Sequence, residues 1–387
     1  MHEKRVYLDY AATTPTDPRV VEAMLPFFHD NFGNPSSVHR WGQHAERAVE
    51  NSREIVANAF GSSPDEVIFT SCGSESDNLA LRGVALSARR VKGANHILVS
   101  PVEHHAVLRT AQDLAQNHGF ELEFLPVNEY GQVSPDALIE HLRSDTAVVS
   151  IIYANNEIGT INSLAPHAEL CREYDVPLHT DAVQAASQLE ININHIPADL
   201  ISVGAHKFYG PKGIGALYVR RGIQLDPIQT GGSQEFSLRA GTLNVPLIVG
   251  MAKALEITIH EREIHNEHYQ FLQNILLEDI PRLIPDSTIT GDPNNRLPNH
   301  ASFVFRGVDG NQLLAALDIA GFACSSGSAC KTGDPEPSDV LVALGYEPDW
   351  ALGSLRITVG RPTAESDVRD LASTLPELVA LNRSAIP

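Results

Sequence analysis

A lysine that directly follows a buried strand constrains this chain more than any other sequence feature. The lysine is Lys207, within the run LISVGAHKFYGPKGIGALYV at residues 200–219. Apolar residues open this run as a buried strand, small residues end the strand, and a Gly/Pro turn leads to a second strand at 216–219. Because no acidic residue neighbours Lys207 in the sequence, we expect partial desolvation to lower the pKa of its amine and allow a Schiff base to form. A lone lysine in such a turn is ordinarily a surface residue, so this interpretation depends on the rest of the chain.

The rest of the chain alternates helices and strands. Apolar residues between 42 and 61 recur on one helical face, and Gly61 marks the end of that helix. A second helix is predicted at 77–90, and a third begins at the Ser134–Pro135 start signal. Short apolar runs predict strands at 67–70, 97–100, 122–125, 147–153, 176–180, 200–203 and 216–219. Strands as apolar as 147–153 are typical of a parallel sheet covered on both faces, so the chain is predicted to be an α/β protein.

The pattern changes after about residue 260. A polar helix rich in His and Glu, at 260–270, leads into a shorter set of strands and helices that continues to the last residue. We interpret this set as a second domain. The predicted division is a large domain of residues 15–260 and a small α+β domain formed by residues 1–14 and 261–387.

The composition excludes several classes of protein. The chain has 387 residues and a formal net charge of −20, so nucleic-acid phosphates are repelled except at a local basic patch. Residues 1–9 contain no apolar signal core, and no segment is long enough to span a bilayer. Four scattered cysteines are too few for a disulfide framework. We therefore expect a cytoplasmic protein with no membrane contact and no general nucleic-acid binding.

Four further motifs lie at predicted strand ends, where open α/β sheets bind ligands. A Gly/Ser turn at 71–78 opens a helix whose backbone N–H groups suit a phosphate. In the run 101–108, an imidazole of the pair His104–His105 suits stacking on an aromatic cofactor and proton transfer, or a metal site if carboxylates converge there. The two amides in 151–159 suit a phenolic oxygen or a carboxylate, and Asp181 suits a protonated pyridine nitrogen that makes the ring an electron sink. Each motif alone has a structural explanation such as helix capping, but together with Lys207 they predict a pyridoxal phosphate site.

With these motifs in place, the chain resembles the cysteine desulfurases of the NifS-like branch, in the class V aminotransferase group. The resemblance includes YLDYAATTP at 7–15, GNPSSVHRWG at 33–42 and SLRITVGRPT at 354–363, and so covers nearly the whole chain. It implies the α/β architecture of fold-type I pyridoxal phosphate (PLP) transferases. The large domain would hold a mainly parallel seven-stranded sheet, and the smaller domain would be α+β. It also implies PLP as the cofactor and a homodimer.

The resemblance assigns residues to the cofactor and to the substrate. The residues expected at the cofactor are Lys207, Asp181, Gln184, His104, Gly73, Ser74, His206, Asn155 and Thr242. The residues expected at the substrate carboxylate are Asn34, Asn155 and Arg356.

Within these sets, each role is an expectation from the family. Lys207 would bind PLP covalently, Asp181 would pair with the ring nitrogen, and Gln184 would bond the ring hydroxyl. His104 would stack on the ring and move protons. Gly73, Ser74 and His206 would hold the phosphate, together with Thr242 from the partner subunit.

The run GFACSSGSACKTGDPEPSDVL at 321–341 separates a desulfurase from its relatives. Its Ser, Gly and Pro content predicts a mobile loop at about 324–337. Cys330 lies beside Lys331, which favours an exposed thiolate, and its Ser–Gly–Ser–Ala–Cys run resembles the nucleophile motif of the family. A zinc site made from Cys324 and Cys330 lacks a second ligand pair, so no metal is expected.

The resemblance implies conversion of L-cysteine to L-alanine, with Lys207, His104 and Cys330 as catalytic residues. The sulfur would leave on Cys330 as a persulfide, for an acceptor such as an iron–sulfur scaffold or for other thiolation pathways. Alternatives are a selenocysteine lyase, a kynureninase-like hydrolase or an aminotransferase of the same fold, and a non-catalytic sulfur-assembly subunit. One departure from the family concerns the phosphate: Gly204 stands where many members have a serine, so one contact is expected to be missing.

Overall fold

The structure, a computed structural model, describes residues 5–327 and 336–385. Its strands are β1 Val6–Tyr7, β2 Val67–Thr70, β3 His96–Val99, β4 Glu121–Phe124, β5 Thr146–Ser150, β6 Leu178–Asp181, β7 Leu200–Gly204, β8 Gly215–Val219, β9 Ser287–Ile289, β10 His300–Phe305, β11 Phe322–Ala323 and β12 Ser354–Thr358. Its α-helices are α1 Pro18–Met24, α2 Pro26–His29, α3 Arg40–Phe60, α4 Gly73–Lys92, α5 His105–His118, α6 Pro135–His141, α7 Ala165–Glu173, α8 Val245–Leu283, α9 Gly310–Ile319, α10 Asp339–Ala343, α11 Pro348–Ala351 and α12 Glu365–Ala385.

The predicted mainly parallel sheet of seven strands is confirmed, in the order β2-β8-β7-β6-β5-β3-β4. The five strands from β4 to β7 pair in parallel, and β8 pairs antiparallel with both β7 and β2. Alternate side chains of these strands enter two separate apolar clusters, as Val67 and Phe69 do on one face and Ile68 on the other. Because both faces are covered, the inner strands β5 and β7 are buried at every residue, as the sequence pattern indicated, whereas the edge strand β4 carries two glutamates and is partly exposed.

Local signals fix where the helices begin and end. Ser134 caps α6 by accepting a hydrogen bond from the Ala137 N–H at 3.1 Å, which confirms the predicted start. Gly61 ends α3 at φ 69°, in the left-handed region that glycine adopts without a Cβ penalty. The helix predicted at 77–90 begins earlier, at Gly73, so the Gly/Ser turn forms its first residues.

A second apolar core lies outside the seven-stranded sheet. It joins the antiparallel sheet β12-β10-β9 to α9, α12 and the later half of α8, and it includes Val6 and Leu8 from the beginning of the chain. The helix predicted at 260–270 is part of α8, which has 39 residues and contributes Met251 and Leu255 to the first core and Leu272 to the second. We propose on this basis the division into units 15–260 and 1–14 with 261–387, with the boundary inside a continuous helix.

Among the described residues, no helix combines the length and the apolar character needed to cross a membrane.

Candidate active site

A cavity of about 310 Å³ opens at the carboxyl ends of the parallel strands. It is lined by Ala11, Ala12, Cys72, Gly73, Ser74, Asp77, His104, Ile152, Asn156, Asp181, Val183, Gln184, His206, Lys207 and Arg356. Eight of the residues expected from the sequence are therefore gathered around one space: Gly73, Ser74, His104, Asp181, Gln184, His206, Lys207 and Arg356. This is the edge at which open α/β sheets bind their ligands.

Lys207 lies in a short 3₁₀ turn that directly follows β7. Its Nζ donates hydrogen bonds to the backbone carbonyls of Ala11 and Ala12, the latter at 2.9 Å. Burial lowers the pKa of the amine to about 8, and the positive charge of Arg356 acts in the same direction. A fraction of the amine is therefore neutral near physiological pH, which is the form that attacks an aldehyde.

Asp181 ends β6 and is 5% exposed. Its Oδ1 accepts the N–H of Val183 at 2.8 Å. Burial raises the pKa of this carboxyl, while the positive charges available on His104 and Lys207 oppose that rise. A buried carboxylate next to two basic groups is suited to hold a protonated nitrogen of a ligand.

His104 is the N-cap of α5, and its Nδ1 accepts the Ala106 N–H at 3.1 Å. This bond leaves Nε2 as the nitrogen that carries the proton of the neutral ring. Burial lowers the pKa of His104, so the neutral ring is the prevailing form at neutral pH. His104, Asp181 and a second carboxyl, Asp77, each offer one atom within 4.8 Å of the others.

Asp77 belongs to a buried polar network that the sequence analysis missed. His179 lies at its centre, with Nδ1 2.8 Å from the Ser150 hydroxyl and Nε2 3.0 Å from the Ser202 hydroxyl. Asp77 Oδ1 lies 3.6 Å from Nε2 of the same ring. Burial raises the pKa of Asp77 well above its ordinary value, and it lowers the pKa of His179 to about 3, so the His179 ring is neutral. Asp77 falls inside the 71–78 motif that the sequence analysis identified, but nothing in that run indicates that the Asp77 side chain is buried.

The first turn of α4 forms a cradle for an anion. Gly73 begins the helix, and Cys72 makes no side-chain hydrogen bond to its N-terminal N–H groups. A Cβ at Gly204 would lie 3.3 Å from the Gly73 nitrogen, so the missing side chain leaves β7 in close approach to the cradle. His206 borders the same space, and its Nδ1 lies 3.2 Å from the Thr13 hydroxyl. Uncapped helical N–H groups bind phosphate without further side chains.

Gln184 and Arg356 complete the wall of the cavity. The Gln184 side chain donates to the Ala11 carbonyl at 2.7 Å, next to the bond from Lys207. Arg356 Nη1 donates to the Asn156 carbonyl and Nη2 to the Asp9 carboxylate, each at 2.9 Å. The N-terminal segment thus contributes backbone and side-chain oxygens that the sequence analysis did not identify.

Asn155 does not line this cavity, although its neighbour Asn156 does. The Asn155 side chain is buried and donates to the Val102 carbonyl at 2.8 Å. Its Oδ1 accepts the N–H groups of Glu157 and Ile158. All these contacts are to backbone, so in this structure Asn155 shapes the turn that presents Asn156.

Three other expected residues are not brought to the cavity. Asn34 and Thr242 are exposed and lie outside its lining. Cys330, with most of the predicted loop, falls outside the described residues. Of the other cysteines, Cys72 lines the cavity, whereas Cys171 is buried, and burial raises the pKa of its thiol to about 12.

Comparisons with known proteins agree on one family. The family model for aminotransferase class-V matches residues 6–371. The cysteine desulfurase IscS of Dictyoglomus turgidum is 45% identical over 100% of this chain and 97% of the relative. The cysteine desulfurase IscS of Methanosarcina thermophila is 44% identical over 99% of this chain and 94% of the relative. A solved structure of a NifS-like protein superimposes with a TM-score of 0.90 at 35% identity, covering 97% of this chain and 100% of that one.

Proposed function

Since the chain belongs to the aminotransferase class-V family, we propose that it is a cysteine desulfurase that uses pyridoxal 5′-phosphate to convert L-cysteine to L-alanine. The observation that carries the proposal is the meeting of Lys207, Asp181, His104 and an uncapped helix N-terminus in one cavity. The relatives that span the whole chain are named for the same activity. The family, fold class and enzyme class predicted from the sequence are confirmed.

The residues present fit PLP. A depressed lysine pKa, a buried carboxyl and free helical N–H groups match, in turn, an aldehyde, a pyridine nitrogen and a phosphate. When bound, PLP supplies an electron sink for negative charge at the substrate α-carbon. Lys207 would hold it covalently, Asp181 would keep its nitrogen protonated, and Gln184 would bond its hydroxyl. The phosphate would be held by Gly73, Ser74 and His206.

Proton transfer falls to Lys207 and His104. The pKa of the Lys207 amine, about 8, is close to neutral pH, so the amine can take a proton from the substrate α-carbon and return it. His104 can exchange a proton at Nε2, because Nδ1 is occupied by the Ala106 N–H. Arg356 would bind the substrate carboxylate, with Asn34, through its guanidinium edge.

Cys330 would be the nucleophile that removes sulfur. Its thiolate attacks the sulfur of L-cysteine, so that the carbon–sulfur bond breaks as a sulfur–sulfur bond forms. The sulfur is oxidised, the carbon is reduced and takes a proton to become L-alanine, and no further redox partner is needed. The Cys330 persulfide would then pass to an acceptor protein, such as an iron–sulfur scaffold or a thiolation partner.

Two observations support a homodimer. Phe32 and Val38 are 67% and 91% exposed in the segment that leads into α3, and Trp41 in the first turn of α3 is 60% exposed; apolar side chains exposed so near one another in sequence suit contact with a second copy. Thr242 is exposed and outside its own cavity, which suits a residue that reaches the phosphate of a second copy. The cytoplasmic location expected from the cysteine content stays a prediction.

Attachment of the cofactor tests the proposal directly. Borohydride reduction of the PLP-loaded protein followed by peptide mapping should find the cofactor on Lys207, and Lys207→Ala should abolish that adduct. Lys212→Ala, an exposed lysine five residues away, is the matched control and should keep it. An adduct on another lysine, or no adduct in the wild-type protein, contradicts the proposal.

A further inference from the structure

The turn at residues 155–158 connects two parts of the molecule that the proposed reaction uses. The Asn155 side chain fixes this turn by accepting two of its backbone N–H groups, at 2.8 and 2.9 Å. The Asn156 carbonyl accepts the guanidinium of Arg356 at 2.9 Å. Glu157 follows directly, and its partly buried side chain leads away from the cavity toward α10.

Glu157 contacts residues on both sides of the segment that contains Cys330. The Ser338 hydroxyl donates a hydrogen bond to Glu157 Oε2. Gly327 lies so close to the same oxygen that a Cβ there would come within 2.5 Å of it. Gly327 and Ser338 belong to the described chain on the two sides of residues 328–335. The Glu157 carboxyl therefore contacts the described chain both before and after residues 328–335.

The hydrogen bonds of Ser338 indicate that its hydroxyl is the donor in the contact with Glu157. Ser338 is the N-cap of α10, and its hydroxyl oxygen accepts the N–H groups of Val340 and Leu341 at 3.1 and 3.3 Å. Its own hydrogen is therefore free to be donated, and Glu157 Oε2 is the acceptor that it meets. Removal of the Glu157 carboxyl would leave this hydroxyl without that partner.

The other border is tied to the strand that carries Arg356. Ser325 and Arg356 exchange two backbone hydrogen bonds, at 2.7 and 3.2 Å. Glu157, Gly327 and Arg356 also line one small cavity of about 10 Å³. Burial raises the pKa of Glu157 to about 7; the Ser338 hydrogen bond and the charge of Arg356 oppose this rise, and the charge of Asp339 adds to it.

We propose that Glu157 is a positioning residue for sulfur transfer, which holds Gly327 and Ser338 against the turn that also orients Arg356. Its effect is to keep the borders of the Cys330 segment in a fixed relation to the substrate carboxylate site. The proposal rests on the proposed function, because it assigns to Cys330 the role of nucleophile. It assigns no chemical step to Glu157 itself.

The test compares Glu157→Ala, Glu157→Gln and Ser338→Ala in the PLP-loaded full chain. We measure persulfide formed on Cys330 in a single turnover with L-cysteine, and cofactor attachment at Lys207. Glu157→Ala and Ser338→Ala should each slow persulfide formation about tenfold or more, because small displacements of a reacting group are costly. Cofactor attachment should stay within about twofold of wild type, because neither side chain lines the cofactor cavity.

Glu157→Gln retains an acceptor oxygen for Ser338, so it should recover most of the rate. The Glu157→Ala, Ser338→Ala double variant should be slowed by less than the product of the two single effects, since the Glu157–Ser338 contact is common to both, although Ser338→Ala also removes the cap of α10. Glu140→Ala, an exposed glutamate on α6, is the control. The proposal is overturned if the alanine variants form persulfide at the wild-type rate, or if Glu157→Gln is as slow as Glu157→Ala.

A second measurement separates this proposal from the proposed function. Alkylation of Cys330 by iodoacetamide, followed by peptide mapping, reports on the segment without any turnover. Glu157→Ala should raise this rate about threefold or more above wild type, because Gly327 and Ser338 are then no longer held against the turn at 155–158. If the wild-type protein forms no persulfide, the proposed function fails while this measurement still decides the role of Glu157. An unchanged alkylation rate overturns the positioning role.

Discussion

The guanidinium of Arg356 is held by the carboxylate of Asp9, with Nη2 2.9 Å from Oδ1. The two side chains come from opposite ends of the chain and are 8% and 18% exposed. The Asn156 carbonyl occupies Nη1 of the same group. Arg356 is thus oriented from two directions by the protein itself, which favours binding of a carboxylate with little reorganisation.

This arrangement predicts that lysine cannot replace Arg356. An ammonium group lacks the planar fork that reaches Asp9, the Asn156 carbonyl and a substrate carboxylate together. Arg356→Lys should lower kcat/KM for L-cysteine by about 100-fold, mainly through KM, as expected for a lost charge-assisted contact. Steady-state kinetics of PLP-loaded protein measure this effect, with Arg109→Lys on the exposed surface of α5 as the control. An unchanged KM would remove Arg356 from the substrate site.

The pKa of Lys207 predicts how attachment of the cofactor depends on pH. Only the neutral amine attacks an aldehyde, and burial lowers its pKa from 10.5 to about 8. The rate at which cofactor-free protein binds PLP covalently should therefore rise with pH and reach half its maximum near pH 8. Because the positive charge of Arg356 also lowers this pKa, the midpoint for Arg356→Gln should lie higher. Stopped-flow absorbance gives both midpoints, and equal midpoints in the two proteins would contradict the electrostatic account.

Replacement of Asp181 should lower turnover far more than replacement of a carboxyl on the surface. It is the buried carboxyl that would face the protonated ring nitrogen, so its removal leaves that charge without a partner. Asp181→Ala should lower kcat by about 100-fold or more, the size of effect expected when a buried charge loses its partner. Turnover and PLP affinity are measured together, beside the exposed Asp136→Ala control. Full turnover in Asp181→Ala would assign the ring nitrogen to another residue.

The sequence predicted the sheet well because its signal is local. The run 67–70 has three apolar residues before Thr70 and is buried at every position, as a strand covered on both faces requires and an exposed loop does not. The helix at 260–270 was recognised, but its continuity as α8 was not. The backbone hydrogen bonds of a helix do not depend on which apolar core its side chains contact. The change to polar residues near 260 therefore marks the point where α8 passes from the first core to the second, and not the start of a new helix.

The site was predicted less completely, for two physical reasons. Lys207 and Gln184 are held by the Ala11 carbonyl, more than 170 residues away, and a backbone carbonyl has no signature in sequence. At the adjacent amides Asn155 and Asn156, only the geometry of the turn decides which one faces the cavity. Motifs at strand ends identified the residue types, whereas long-range contacts determined their orientation.

A buried ion pair beside the sheet predicts a large loss of stability. Arg53 Nη2 lies 2.6 Å from Glu235 Oε1, and the Phe69 N–H donates to Glu235 Oε2 at 2.6 Å. This carboxylate holds three consecutive residues, 235–237, in the left-handed region, at φ 45°, 57° and 65°. Glu235→Ala should lower the free energy of unfolding by about 3–5 kcal/mol, because it leaves the buried Arg53 guanidinium with only the exposed Glu50 carboxylate and the Val67 carbonyl as partners.

Urea unfolding measures this loss, and the exposed pair Arg221–Asp65 provides the control. Asp65→Ala should cost only about 0–1 kcal/mol, since both of its charges are solvated. Equal losses of unfolding free energy in the two variants would show that burial of the Arg53–Glu235 pair does not increase the cost of breaking it.

The assignment as a cysteine desulfurase is tested most directly by the amount of L-alanine that the PLP-loaded protein forms from L-cysteine in the presence of a thiol reductant. The wild-type protein should form L-alanine and sulfide in equal amounts. Cys330→Ala should form none, although this variant keeps its cofactor. A wild-type protein that holds PLP but forms no L-alanine would contradict the assignment as a cysteine desulfurase.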